Sequence, residues 1–196
     1  TGHAPELPPI YAAVRDRASE ERPAYLTGLL AGDVRATPEF LLRLERVRTA
    51  EGRHLYRRLR ALLPDVLRAF WRYYDEPDAA ACPDTAEGYE LVRASFIRTA
   101  DEAQAARVIR CAGAFGIEYI RKLADDFTAA ERPAAALAAL LFYEEAGGAA
   151  DAAYLYETGR ACLAAGQRGE GGAYLSRALA AEPENRKVRE LMELIQ

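Results

Sequence analysis

The sequence is poor in the residues that most metal sites and disulfide frameworks use. It has two histidines and three cysteines among 196 residues. The cysteines, at positions 82, 111 and 162, are widely spaced, odd in number and never in a CxxC pair, which fits neither a disulfide framework nor a zinc site. We therefore expect a reducing compartment and a cytoplasmic protein, with a signal peptide removed before Thr1 as the open alternative.

Long hydrophobic runs and a strong excess of one charge are also lacking. No run of about 18 apolar residues occurs, as a membrane-spanning helix would need. The formal net charge is -4, from 26 basic and 30 acidic residues, whereas a general nucleic-acid binder normally has a basic balance or patch. We expect neither membrane insertion nor nucleic-acid binding.

The groups that an enzyme would need do not occur together in the sequence. His54 is the one histidine outside the N-terminal arm, and it lies among arginines. There is no HExxH, GxSxG, P-loop or GxGxxG element, and Glu-xx-His metal spacing is absent. The acidic pairs at 125–126 and 144–145 are adjacent, so their members point to different sides of a helix. We expect no catalytic site, no metal and no cofactor.

Strand-like alternation is missing, and helical periodicity runs through most of the chain. The composition, with 51% hydrophobic and 29% charged residues, is that of a globular protein. The sequence therefore predicts an all-α fold of helical hairpins. We expect a disordered arm at 1–9, an N-terminal helical subregion at 10–75, a linker at 75–83 and a helical repeat region at 84–196.

The N-terminal subregion is predicted to begin with short helices at 10–19 and 23–30. A longer helix follows from Thr37-Pro38-Glu39, because threonine caps free N–H groups and proline suits a first turn. A break is expected near Gly52, and a kink or restart at Pro64. The predicted apolar side of this helix or helix pair consists of Leu41, Leu44, Leu55, Leu59, Leu62 and Val66.

Two clusters in this subregion admit a binding interpretation beside a structural one. The arginines at 43, 46, 53, 57 and 60 fall opposite the apolar side at about 100° per residue, so they are predicted to be a solvated face, with an acidic partner or phosphate as the alternative. The aromatic residues at 70, 71, 73 and 74 are predicted to be core, with an interface hot spot as the alternative.

Helix start signals continue after the linker. Asp84 or Thr85 is predicted to cap a helix that runs through Thr99. A capping-box pattern that begins at Thr99 opens the next helix. Gly113 and Gly116 are expected to bracket a turn.

The C-terminal region repeats one pattern. Large residues on a first helix form a buried seam, while a small residue beside them lets the second helix approach closely. In the later copy these positions are Leu155, Thr158, Gly159 and Cys162, then Gly171, Leu175 and Ala178, with Pro183 at the end. In the earlier copy, which is one residue out of phase, they are Ile120, Leu123, Ala124 and Phe127, followed by a helix over 133–146 and by Gly147-Gly148. Asp151 and Asn185, 34 residues apart, each stand just before a helix.

This pattern resembles a tetratricopeptide repeat over about 80 residues. The resemblance implies hairpins at about 117–150 and 151–184, a capping helix at 185–196 and a short right-handed superhelix, with an unrelated helical bundle as the alternative fold. It implies a non-catalytic adaptor or scaffold that binds a peptide or helix of a partner protein in a concave groove. The alternatives are a regulatory or ligand-sensing domain of a larger enzyme or transcription regulator, and self-association through terminal hairpins.

The resemblance also implies site residues, because the inner face of the first helices usually holds the partner in this family. The positions that carry over are Arg121, Asp125, Thr128, Tyr156, Arg160 and Leu163, with Lys187 and Glu190 if the last helix continues the stack. The chain departs from the lysine and asparagine set that clamps chaperone C-termini, so such a ligand is not expected. Arg121 and Arg160 are candidates to bind a partner's carboxylate, with plain surface arginines as the alternative.

Overall fold

The computed structural model describes residues 36–46, 50–73 and 82–195. Within these ranges every regular element is a helix, which confirms the predicted all-α fold. The helices are α1 (Ala36–Glu45), α2 (Ala50–Tyr73), α3 (Ala86–Phe96), α4 (Glu102–Phe115), α5 (Ile117–Ala129), α6 (Pro133–Glu145), α7 (Ala152–Ala164), α8 (Arg168–Ala181) and α9 (Arg186–Glu193). The predicted arm at 1–9, the short helices at 10–19 and 23–30, and most of the predicted linker lie outside the described residues.

The chain divides into two compact units, Thr1–Ser95 and Phe96–Gln196. In the first unit, α1 packs against α2. At the N-terminus of α3, Thr85 Oγ1 accepts a hydrogen bond from the Gly88 N–H at 3.0 Å, as predicted. The Glu39 carboxylate accepts from the Thr85 hydroxyl at 2.8 Å, which joins α1 to the start of α3.

Helix α2 begins at Ala50, two residues before Gly52, and continues through Pro64. Of the kink or restart predicted at Pro64, the restart is therefore wrong. Among the described side chains of α2, Leu59, Leu63 and Leu67 are fully buried, whereas the predicted Leu62 is only half-buried. The side chains of the predicted Leu44, Leu55 and Val66 lie outside the described residues. The spacing of four residues keeps one stripe in the core on both sides of the proline, so packing outweighs the one N–H that proline lacks.

The two clusters of the N-terminal subregion are only partly described. The arginines at 46, 53, 57 and 60 are exposed, as is His54. The predicted exposure is therefore confirmed for these four arginines, and an acidic partner or phosphate stays the alternative prediction. The side chains of Arg43 and of the aromatic residues at 70, 71, 73 and 74 lie outside the described residues.

Three predicted helix boundaries between α3 and α5 are wrong. Helix α3 ends at Phe96, and the capping box of α4 is formed by Asp101 and Gln104, two residues later than predicted. The Gln104 side chain is buried and accepts from the Asp101 N–H at 3.0 Å. Gly113 lies inside α4 against the ring of Phe142, so the break between α4 and α5 falls at Gly116 alone, where φ is 123°.

The second unit contains two successive hairpins, which we call the first hairpin (α5–α6) and the second hairpin (α7–α8). Each helix from α4 to α9 packs against the next along the chain, and α4 also packs against α6. The buried residues of α5 are the four predicted ones, and those of α8 are the three predicted ones. On α7 the four predicted residues are buried together with Ala152, Tyr154 and Ala161.

The close approach of α7 and α8 depends on two glycines. A Cβ on Gly159 would lie 2.7 Å from Leu175 Cγ, and a Cβ on Gly171 would lie 2.8 Å from Leu163 Cδ2. Both distances are too short for a real side chain. The small residues of this pattern are therefore required by packing, as the sequence predicted.

The turns of the two hairpins have the same backbone conformation. Glu131 in the first and Gly166 in the second both have positive φ, 58° and 83°. In each turn, the N–H of the following residue donates to the carbonyl of the last seam residue: Arg132 to Phe127 at 2.9 Å and Gln167 to Cys162 at 2.8 Å. This pairing is the Schellman pattern of helix ends.

Helices α7 and α9 have matching N-caps. Asp151 Oδ1 accepts from the Tyr154 N–H at 2.7 Å, and Asn185 Oδ1 accepts from the Val188 N–H at 3.4 Å. The two equivalent positions recognised in the sequence are therefore equivalent in structure.

Candidate functional site

A cavity of about 470 Å³ lies in the second unit, where α5 and the α5–α6 turn face α7. We call it the α5–α7 groove. Its polar lining comes from Asp125, Thr128, Glu131, Arg132, Glu157 and Arg160, and its apolar lining from Pro133, Ala136, Ala161 and Ala164. The lining residues of α5, Asp125 and Thr128, are not among its buried seam residues. Their side chains therefore point away from the core.

An ion pair joins the first helices of the two hairpins. Arg121 Nη2 on α5 donates to Glu157 Oε2 on α7, and the Arg121 guanidinium also lies 5.7 Å from the ring centroid of Tyr143. Burial raises the pKa of the Glu157 carboxyl, and the nearby Asp125 raises it further, while Arg121 and Arg160 lower it. Its pKa stays above the usual value because desolvation outweighs the paired cation.

Arg132 anchors the turn that forms one end of the groove. Its Nη1 donates to the Arg98 carbonyl at 2.9 Å, and its Nη2 donates to the Ala100 carbonyl. These bonds hold the turn against the segment that precedes α4. A guanidinium whose donors point at backbone carbonyls positions the groove wall and is less available to a ligand.

The structure brings three of the predicted site residues together. Asp125, Thr128 and Arg160 all line the groove. The Thr128 hydroxyl donates to the Ala124 carbonyl at 2.9 Å. The Arg160 guanidinium lies 5.7 Å from the ring centroid of its predicted neighbour Tyr156.

The other predicted site residues lie elsewhere. Arg121 is held in the ion pair with Glu157. Leu163 packs against Gly171 between α7 and α8. On α9, Lys187 is exposed, and Glu190 pairs with Arg186 at 2.5 Å.

Sequence reasoning missed Glu131, Arg132 and Glu157. Glu157 lies beside the predicted Tyr156 on the same helix, so the repeat pattern gave some signal for it. Glu131 and Arg132 lie in a turn, where helical spacing gives no information. Only the path of the turn beside α7 places them at the groove.

A second polar cluster connects the two hairpins away from the groove lining. The Glu144 carboxylate on α6 lies 2.9 Å from the Tyr154 hydroxyl and 3.3 Å from the Tyr174 hydroxyl, and Arg177 approaches it at 3.8 Å. Burial raises the pKa of both tyrosines. Because Tyr154 is almost fully buried, we assign this cluster to packing between hairpins.

The cysteines differ from the sequence expectation. Cys82 and Cys111 are disulfide-bonded, whereas Cys162 is a buried free thiol whose pKa is raised by burial. The expectation of cysteines without disulfides is therefore wrong, and the reducing compartment inferred from it loses that support.

The described part of the chain has neither a metal-binding cluster nor a membrane-spanning helix. Residues 36–46, 50–73 and 82–195 contain no group of three or more histidine, cysteine or acidic side chains that could hold a metal ion. None of the helices in these ranges has the length and apolar character needed to cross a membrane.

Comparison with protein-family models, with curated proteins and with solved structures finds no match for this chain.

Proposed function

We propose that this chain is a non-catalytic protein-interaction module, built from tetratricopeptide-like hairpins, that binds a peptide or helix of a partner protein in the α5–α7 groove. The observation that carries the proposal is the groove itself. Equivalent helices of two successive hairpins form its walls, and three residues assigned to partner binding from the sequence meet there.

The lining suits side chains of a bound peptide. Alanines and a proline supply a shallow apolar surface, and charged and hydroxyl groups surround it. Interfaces combine an apolar contact with a polar rim in this way. Helical-repeat proteins commonly offer such surfaces to extended segments.

The volume of the groove favours one second candidate. A cavity of about 470 Å³ falls within the range of roughly 300–1,000 Å³ that small-molecule sites occupy. A regulatory domain that binds a small ligand in the same groove is therefore the alternative function.

The structure makes Arg121 a poor position for testing partner binding. Arg121 is engaged with Glu157, so replacing it would leave a half-buried carboxylate unpaired as well as remove a possible contact. Asp125 and Arg160 are the better positions for testing binding. Both line the groove without belonging to the buried set of their helices.

Site-specific photo-crosslinking in lysate of the native host tests the proposal. The crosslinking residue p-benzoylphenylalanine would replace Thr128 in the groove or, as a control, Ser176 on the exposed side of α8. We expect a discrete protein adduct from position 128 only. The adduct should be lost in Asp125→Ala/Arg160→Ala and kept in the matched surface variant Arg110→Ala/Glu145→Ala. Equal adducts from both positions would contradict the groove as the binding site.

A further inference from the structure

The charged groups of the groove differ in whether the fold already engages them. Arg121 and Glu157 pair with each other, and Arg132 donates to two carbonyls. In the part of the chain that the structure describes, the side chains of Asp125, Glu131 and Arg160 have no hydrogen bond or ion pair. The Arg160 guanidinium lies beside the Tyr156 ring, a contact that uses none of its N–H donors. Three charges therefore remain for a ligand: two carboxylates and one guanidinium.

These three charges are separated by sign across the groove. Asp125 and Glu131 belong to α5 and its turn, whereas Arg160 belongs to α7. Asp125 and Arg160 occupy equivalent positions of the two hairpins, since both lie five residues after the first seam residue, Ile120 or Leu155. One wall of the groove thus offers a negative group where the other offers a positive one.

We propose that the partner segment carries a basic and an acidic residue, with the basic side chain against Asp125 and Glu131 and the acidic side chain against Arg160. This inference rests on the proposed function and adds the chemistry and direction of the ligand. Complementary charges of this kind fix the register of a bound segment more than they add to its affinity. A carboxylate can also engage the Arg160 guanidinium with two parallel hydrogen bonds.

The two ligand charges should not be adjacent in the segment's sequence. Helices α5 and α7 do not pack directly against each other, and two long side chains, Arg121 and Glu157, span the gap between them. Their separation therefore exceeds the roughly 8–10 Å of packed helices. Because an extended chain advances about 3.3 Å per residue, the basic and acidic residues should be at least about three positions apart in a segment that crosses from α5 to α7.

Selection from a phage-displayed library of random 12-residue peptides on the whole chain tests this inference. Peptides that also bind Ala164→Trp, in which an indole fills the groove from an exposed position, would be removed by counter-selection. We expect the remaining peptides to be enriched in a basic and an acidic residue at least about three positions apart.

A charge reversal then tests the direction. Affinity of a selected synthetic peptide, measured by fluorescence anisotropy, should fall about tenfold in Asp125→Arg/Arg160→Asp and recover when the two charges of the peptide are exchanged. The matched reversal Arg110→Glu/Glu145→Arg, at exposed positions outside the groove, should leave the affinity unchanged. Circular dichroism of each variant would verify that its helices remain.

The outcomes separate the two levels of the proposal. Peptides that need the open groove but lack the charge pattern, or that tolerate the reversal at 125 and 160, would overturn the charge-pair inference and leave the proposed function standing. A selection in which no peptide depends on the open groove would overturn both.

Discussion

The two hairpins of the second unit reach the same backbone arrangement with different residues. The second hairpin uses Gly159 and Gly171 where its helices approach, and Gly166 in its turn. The first hairpin has Ala124 and Ala136 at the corresponding helix positions and Glu131 in the turn. The first hairpin thus accepts a less favourable turn residue and places a carboxylate at the groove.

The seam shows a second difference. Phe127 is the last seam residue of α5, and Cys162 occupies the corresponding position of α7. Both are almost fully buried. The first hairpin therefore relies on a large aromatic side chain, whereas the second relies on close contact between helices. This contrast predicts that equivalent substitutions will have unequal effects.

The largest effect is expected at the seam. Phe127→Ala should lower the free energy of unfolding by about 3–5 kcal/mol, because it removes a buried ring and leaves a cavity. Cys162→Ala should lower it by only about 1 kcal/mol, since a single buried heavy atom, the sulfur, is lost. Urea unfolding followed by circular dichroism measures both, and equal losses would contradict the different roles assigned to the two positions.

A smaller effect is expected from the helix contact in the second hairpin. Gly159→Ala should cost about 1–3 kcal/mol, because the new Cβ would meet Leu175 and overpacking outweighs the gain in helix propensity. Gly169→Ala on α8 is the matched control, since a Cβ there meets nothing within 4 Å. The control should be neutral or slightly stabilising. A thermal melt in which Gly159→Ala is as stable as Gly169→Ala would show that the approach of α7 and α8 tolerates a side chain.

The smallest effect is expected in the turns, and its sign should differ between the hairpins. Glu131→Gly should stabilise the protein by about 0.5–1 kcal/mol, because glycine adopts positive φ without the steric cost that other residues bear. Gly166→Glu should destabilise it by about 1 kcal/mol for the same reason. Unfolding midpoints of both variants test this, and a loss in both would mean that Glu131 makes a stabilising interaction beyond its backbone conformation.

Much of the second unit could be predicted from local sequence. The seam residues follow from helical periodicity, and Asp151 and Asn185 are caps because short polar side chains before a helix accept its free N–H groups. The errors occurred where two local signals competed. Thr99 and Asp101 are both residue types that cap helices. Asp101 is the cap in the structure, because the buried Gln104 side chain accepts from its N–H and so completes the capping box.

The groove could be predicted only in part. Asp125, Thr128 and Arg160 follow from the position of each residue in its repeat, since the faces of a helix are fixed by its period. Which of the charged groups is engaged does not follow from that position. Arg121 and Arg160 were equivalent candidates in the sequence, yet only Arg121 reaches Glu157.

The sequence by itself determined that this region folds into helices, which side of each helix is buried and where several of the helices begin. These properties depend on residues within one or two turns of each other. The tertiary structure decided the pairing of Arg121 with Glu157, 36 residues away, and of Arg132 with carbonyls 32 and 34 residues away. Such contacts depend on the relative placement of packed helices, which no local period encodes, and they decide which charges of the groove remain for a partner.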